Sequence, residues 1–216
     1  MGLIGAVAII GQALLVPVGI TGFTRAVTGY AGDASLTFFT QVLLLYGLLF
    51  ASIWAVGIRR HGAGWSALGF RPVDMRSLGA LLGLVAAVVL GANIVVRSFV
   101  HLPRTQDLFV FGHHPRQVLL MVALVLVAAP LGEEMLFRGF LLQGLARRWG
   151  FWPAAVVTSA VFALAHVWPY LYVPVFIMGL AFAWLFWRTG SLWASIAAHA
   201  TMNATSLVVT GLFYRT

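Results

Sequence analysis

The sequence predicts an all-α protein, a polytopic transmembrane helical bundle with seven to eight spans around a polar intramembrane cavity. Of its 216 residues, 62% are hydrophobic and only 8% are charged, whereas soluble domains carry roughly 25% charged residues. A chain this apolar cannot cover its surface with polar side chains, so we expect lipid to cover it. The cavity is predicted because almost every ionisable residue at membrane depth falls into three short groups on three different helices.

Charge and residue usage narrow the class of protein and its partners. The chain has no cysteine, which excludes disulfides and thiolate chemistry. All 13 basic residues are arginine and are scattered over the predicted loops, so the net charge of +8 indicates the lipid bilayer rather than nucleic acid as a partner. Abundant alanine and glycine without lysine are typical of a GC-rich bacterial genome. We therefore expect an integral, multi-pass protein of a bacterial inner (plasma) membrane.

The chain contains seven apolar runs. We take it as a single integral membrane domain over 1–216. The runs cover 3–22, 36–58, 78–96, 117–148, 152–166, 172–187 and 192–213, and a polar loop, 97–116, precedes the fourth. At ~1.5 Å per residue the fourth run would reach about 48 Å, which exceeds the ~30 Å hydrocarbon core. It must therefore tilt, kink at Pro130 or split there into two helices, and a split would raise the count to eight.

The stretch from Leu131 to Arg138 holds two adjacent carboxylates and an arginine among apolar residues. Glu133 and Glu134 are two of only five acidic residues in the chain, and an ionised carboxylate at membrane depth is costly unless it is paired. Four residues apart on a helix, Glu134 and Arg138 share a face and can pair. Glu133 points about 100° away from Glu134 and is left without a local partner, which makes it the candidate for proton transfer.

Two further pairs have the same helical spacing. Phe162 lies one turn before His166, so its ring can wall one side of the imidazole. His199 and Asn203 stack on one face of an otherwise apolar span. Their imidazole and carboxamide offer adjacent hydrogen-bond donors, which suit the stabilisation of an oxyanion in a water-poor site. With Glu133, these groups would make one pocket with an acid/base, two imidazoles and an amide.

Each group also has a purely structural interpretation. The Glu134–Arg138 pair alone fits an interhelical staple, and His166 alone fits an interfacial packing residue. His199 and Asn203 alone fit the polar groups that bridge membrane helices. Their coincidence on three helices favours a functional pocket over these separate interpretations.

In this order the three motifs resemble those of the CAAX-protease and bacteriocin-processing (CPBP, or Abi) family of intramembrane proteases. The matching stretches are Glu133-Glu134-Met135-Leu136-Phe137-Arg138, Phe162-Ala163-Leu164-Ala165-His166 and His199-Ala200-Thr201-Met202-Asn203. The resemblance covers a protease-like motif region, 118–206, which is less than half of the chain. It implies a helical bundle around a conical, solvent-reached cavity. It also implies an intramembrane endopeptidase that hydrolyses a peptide bond of a membrane-associated protein or peptide.

The family pattern implies a role for each matching residue. Glu133 would activate the water with help from His166, and His199 and Asn203 would form the oxyanion hole. Glu134 and Arg138 would hold the site together. The eukaryotic branch of the family removes the C-terminal tripeptide of prenylated proteins, whereas we do not expect a prenyl substrate for a bacterial chain.

Two forms of catalysis stay open at this point. Glu133, His166 and His199 could supply the ligands of a catalytic zinc, which would leave one position for water. The same three residues could instead serve a metal-free glutamate protease, which is the form that we favour.

Two other functions fit the same residues. A non-catalytic membrane interaction or bacteriocin-immunity protein would keep the polar core only for folding, and its protective phenotype would survive Glu133→Ala. A transporter or proton relay built on the buried carboxylate would show pH-dependent flux. Against the transporter, the sequence has no paired broken helices in two matching halves.

Overall fold

The computed structural model describes residues 34–62, 64–99, 115–166 and 169–213. Within these ranges the chain is largely helical and has no strand, which confirms the predicted all-α class. The predicted first span, 3–22, and most of the predicted loop 97–116 lie outside the described residues.

The described helices follow the predicted apolar runs closely. They are α1 (Ala34–Ser52), α2 (Met75–Phe99), α3 (Pro115–Ala123), α4 (Ala129–Glu134), α5 (Gln143–Trp149), α6 (Phe151–Leu164), α7 (Tyr172–Thr189) and α8 (Leu192–Phe213). A π-helical turn, Ile53–Ile58, extends α1 to the predicted end of the second run. Gly190 ends α7 because its φ of 65° lies in the left-handed region, where glycine carries no steric cost.

One helical run joins α3, α4 and α5 without a break. Two π-helical segments, Leu124–Ala128 and Met135–Leu142, lie between these helices, so Pro130 does not split the run into two. Proline is tolerated because it directly follows the first of the wider π turns, which changes the hydrogen-bond pattern around it. In that turn the Ala129 N–H donates to the carbonyl of Leu124, five residues earlier.

Two helical stretches, Val118–Trp149 and Tyr172–Thr189, are long and apolar enough to cross a membrane. Shorter apolar helices cover Val42–Ile58, Leu78–Gly91 and Phe151–Leu164. Exposed leucine, isoleucine, valine and tryptophan side chains cover much of the outer surface, as expected where lipid replaces water. The chain is therefore an integral membrane protein, and the count of seven or eight spans stays a prediction.

Close approaches between helices position the polar residues. A Cβ added to Gly179 on α7 would lie 2.9 Å from the Cβ of Ser159 on α6, so only a glycine permits this packing. A Cβ added to Gly132 on α4 would lie 2.5 Å from the ring of Tyr46 on α1. Because α8 also packs against α4 and the first π-helical segment, helices from both halves of the described chain surround the Glu133–Glu134 pair.

Candidate active site

A buried ion pair forms the base of the site. Arg138 Nη1 donates to Glu134 Oε1 at 2.8 Å, and Nη2 donates to the carbonyl of Gly179 on α7 at 2.9 Å. The guanidinium carbon also lies 4.7 Å from the ring centroid of Phe162 and 5.5 Å from that of Phe182. The pair predicted from the spacing is thus formed, and it ties the second π-helical segment to α6 and α7. Hydrogen bonds and aromatic faces offset part of the cost of burying these charges, although the second carboxylate oxygen, Glu134 Oε2, is buried with no hydrogen-bond partner among the described residues.

His199 lies between the two adjacent carboxylates. Its Nδ1 is 3.0 Å from Glu134 Oε1, and its Nε2 is 3.8 Å from Glu133 Oε2. We assign the proton of the shorter contact to Nδ1, because the Glu134 oxygen that it meets is already the acceptor of the Arg138 hydrogen bond. The imidazole stacks on Phe182 with 5.1 Å between centroids. With Nδ1 directed at Glu134, the other ring nitrogen, Nε2, faces Glu133.

Glu133 has a partner that local spacing does not reveal. Tyr46, on α1, donates its hydroxyl hydrogen to Glu133 Oε1 at 2.8 Å. Spacing along one helix leaves Glu133 without a local partner, and a distant helix supplies a hydrogen-bond donor. The Glu133 side chain is 23% exposed, against 0% for Glu134. Glu133 is thus the more accessible carboxylate of the pair.

His166 lies just beyond the end of α6. Its Nδ1 is 2.9 Å from the carbonyl of Phe162, which assigns the proton to Nδ1 and leaves Nε2 as an acceptor. The Phe162 ring meets both imidazoles edge-on, with centroids 5.0 Å from His166 and 5.9 Å from His199. Phe162 therefore walls His166 as the spacing predicts, and it also contacts the imidazole of His199. The Nδ1 hydrogen bond of His166 goes to its own segment and not to Glu133.

Asn203 uses part of its amide group to satisfy the backbone of another helix. Its Nδ2 donates to the carbonyl of Val125 at 2.9 Å. Because Ala129 pairs with the carbonyl of Leu124, the next donor in the π pattern would be Pro130, which has no N–H. Asn203 takes the place of that donor. Its second amide hydrogen is not used by this bond.

The three predicted zinc ligands are not grouped around one point. Among the residues that the structure describes, no set of three or more His, Asp or Glu side chains could hold a metal ion. Glu133 and His199 are neighbours, whereas the described contacts of the His166 ring are to Phe162. As arranged here, the three side chains do not fit the compact tetrahedral set of a catalytic zinc.

The segment that carries these motifs matches a known family. Residues 115–205 match the family model described as Type II CAAX prenyl endopeptidase Rce1-like. This segment is CAAX-protease-like. The resemblance predicted from the three motifs is thereby confirmed, since the matched segment spans Glu133 to Asn203. Tyr46 lies outside the CAAX-protease-like segment, which explains why motif spacing could not find it.

Two relatives share parts of the chain. The chain is 31% identical over 84 residues to "Putative membrane peptidase YdiL" of Bacillus subtilis (strain 168), an alignment that covers 39% of this chain and 34% of that protein. It is 29% identical over 194 residues to "Uncharacterized 24.3 kDa protein" of Escherichia coli, which covers 85% of this chain and 84% of that protein. The chain thus matches about a third of the length of YdiL. No solved structure matches the chain significantly.

Proposed function

We propose that the chain is an intramembrane endopeptidase that hydrolyses a peptide bond of a membrane-associated protein or peptide. The observation that carries the proposal is the approach of Glu133 Oε2 to His199 Nε2, 3.8 Å apart. A gap of this length admits a bridging polar group, such as a water or a substrate oxygen. The CAAX-protease-like segment supports a protease in general, and the geometry supports Glu133 as the group that activates water.

The chemistry follows from the positions of the donors and acceptors. Glu133 takes a proton from the water, and the water oxygen bonds to the carbonyl carbon of the peptide. The carbonyl oxygen then carries the negative charge. When His199 is protonated on both nitrogens, its Nε2–H donates to this oxygen together with the second amide hydrogen of Asn203. The proton on Glu133 passes to the leaving nitrogen as the carbon–nitrogen bond breaks.

The remaining site residues support these two groups. Glu134 holds the Nδ1 side of His199, and Arg138 holds Glu134 in place. His166, whose ring contacts Phe162, offers Nε2 as a second proton acceptor. Because the side chains do not form a zinc set, we propose that the reaction needs no metal ion.

Substitution of Glu133 tests this function. The purified protein in liposomes is incubated with quenched, membrane-anchored peptides, and cleavage is followed by fluorescence. Glu133→Gln keeps the size of the side chain but cannot take the proton, so cleavage should fall by roughly two to four orders of magnitude. Asp74→Asn, an exposed carboxylate in a loop, is the matched control and should keep full activity. Equal cleavage by the parent and Glu133→Gln would end the proposal.

Two further arms of the same assay address the metal and the substrate. A strong chelator should leave the parent rate unchanged, with Glu133→Gln as the blank, and a chelator-sensitive rate restored by zinc would overturn the metal-free form. Peptides with and without a C-terminal prenyl group are compared, because the family model is named for prenyl endopeptidases. We expect cleavage without the prenyl group.

A further inference from the structure

We propose that Tyr46 is a positioning residue for Glu133, so that α1 is part of the active site although it lies outside the CAAX-protease-like segment. The inference rests on the proposed function and adds a residue that the three motifs do not contain. Tyr46 is separated from Glu133 by 87 positions, and the contact between them is a hydrogen bond of 2.8 Å between two side chains.

The two carboxylate oxygens of Glu133 have different neighbours. Tyr46 occupies Glu133 Oε1, while Oε2 faces His199 Nε2. A glutamate that is 23% exposed and lacks a charged partner in its own helix would otherwise sample several rotamers. Since catalysis requires the proton acceptor at hydrogen-bond distance from the water, fixing Oε1 keeps Oε2 aimed at the reacting position.

Gly132 makes the approach of Tyr46 possible. Its backbone lies under the phenol ring, and an added Cβ would lie 2.5 Å from Tyr46 Cδ1 and 2.8 Å from Cε1. Real Cβ atoms essentially never come so close, so any larger residue must displace the ring and with it the hydroxyl group. The lack of a side chain at Gly132, directly before the Glu133–Glu134 pair, therefore leaves room for the Tyr46 ring. We infer that this glycine serves the site rather than the helix.

Tyr46→Phe tests the hydrogen bond without changing the ring. The ring keeps its seat on Gly132, so the melting temperature should stay close to that of the parent. In the liposome assay we expect kcat to fall by about tenfold with KM unchanged, since roughly 1.4 kcal/mol, the size of one hydrogen bond to a charged group, corresponds to a factor of ten. Unchanged kcat in Tyr46→Phe, together with an inactive Glu133→Gln, would overturn the role of Tyr46 and leave the proposed function intact.

Gly132→Ala tests the same contact from the other side. It should lower kcat by a similar factor, and the double variant with Tyr46→Phe should be no slower than the slower single variant, because both changes break one hydrogen bond. Gly144→Ala, on α5, is the matched control, since nothing lies within 4 Å of its added Cβ. Independent, multiplying losses would contradict the proposal.

An infrared measurement separates the inference from the activity. The parent spectrum minus that of Glu133→Gln isolates the carboxylate stretch of Glu133. Removal of the phenol donor in Tyr46→Phe should shift this band, and Gly144→Ala should leave it in place. A shifted band in a protein that cleaves no peptide would keep the contact and refute the proposed function. An unshifted band would refute the contact itself.

Discussion

Glu133 and Glu134 are neighbours in sequence but occupy different electrostatic environments. Glu134 is fully buried and contacts Arg138 and His199, whereas Glu133 is partly exposed and contacts Tyr46. A buried carboxylate that pairs with a buried arginine serves the structure. A partly exposed carboxylate whose neighbours are a phenol and an imidazole is the better candidate for proton exchange, so the difference in partners supports a difference in roles.

This assignment predicts that substitutions of the two glutamates affect the stability of the protein differently. Glu134→Gln leaves Arg138 buried without its counter-charge, which should lower the free energy of unfolding by about 3–5 kcal/mol. Glu133→Gln, the matched control, keeps a neutral partner for Tyr46 and should change stability by less than roughly 1 kcal/mol. Reversible unfolding in detergent measures both variants. Equal destabilisation would contradict the separate roles.

At the scale of single residues, the sequence predicts contacts between residues that lie close together along the chain. The Glu134–Arg138 pair is found because both residues lie on one helix at a fixed spacing. The Tyr46–Glu133 and Asn203–Val125 contacts join residues 87 and 78 positions apart, and no periodicity in the sequence encodes either one. The local sign of Tyr46 is a tyrosine within a largely apolar span, whose hydroxyl needs a partner when it is buried.

The long run from α3 to α5 shows how a proline can be kept in a membrane helix. Pro130 removes one N–H, and the wider turn before it moves the unpaired carbonyl to Val125. Asn203 then donates to that carbonyl from α8. The unpaired carbonyl in the long run is therefore where α8 binds to it. The same hydrogen bond fixes the orientation of the Asn203 amide, which we assign to the site.

The coupling between these helices predicts a non-additive result. Asn203→Ala should destabilise the protein by roughly 1 kcal/mol, because the Val125 carbonyl loses its donor. In a Pro130→Ala background the new N–H can pair with that carbonyl, so the same substitution should cost less. A double-mutant cycle on unfolding in detergent measures the difference. An identical cost of Asn203→Ala in both backgrounds would show that Pro130 and Asn203 are not coupled.

Element boundaries are predicted well where a simple signal exists. The run 192–213 coincides with α8, and α7 runs slightly past its predicted end to Thr189, where Gly190 stops it. The change from α to π geometry between Leu124 and Leu142 is not predicted, since it depends on how α8 and the aromatic residues pack around Pro130 and Arg138. The same contacts decide that the long run forms one continuous helical element rather than two.

At the scale of the whole molecule, one end of the bundle carries exposed tryptophans and arginines. They include Trp54, Trp65, Trp149, Trp187 and Trp193 beside Arg59, Arg147, Arg148 and Arg188. The helix ends and loop in this region are joined by hydrogen bonds such as Leu192 N–H to the carbonyl of Gly69, at 2.7 Å. This composition is typical of the membrane–water interface, and it indicates that Glu133, in the middle of the long run, lies deeper in the bilayer.

A hydrolase at that depth must admit water from outside the lipid. The partial exposure of Glu133 is the structural sign of such access, in contrast to the buried Glu134 and Arg138. The composition of the chain predicts a polar cavity among lipid-covered helices. It does not predict which carboxylate faces the cavity, because that depends on α1, which the motif region does not include.

Single-turnover cleavage in water labelled with oxygen-18 tests the central claim most directly. The enzyme is held in excess over a membrane-anchored peptide, and mass spectrometry locates the label after one turnover. If Glu133 activates a solvent water, the new carboxyl group of the product carries the label and Glu133 does not. A product formed with unlabelled oxygen, with the label found later in Glu133, would show direct attack by the carboxylate and contradict the account.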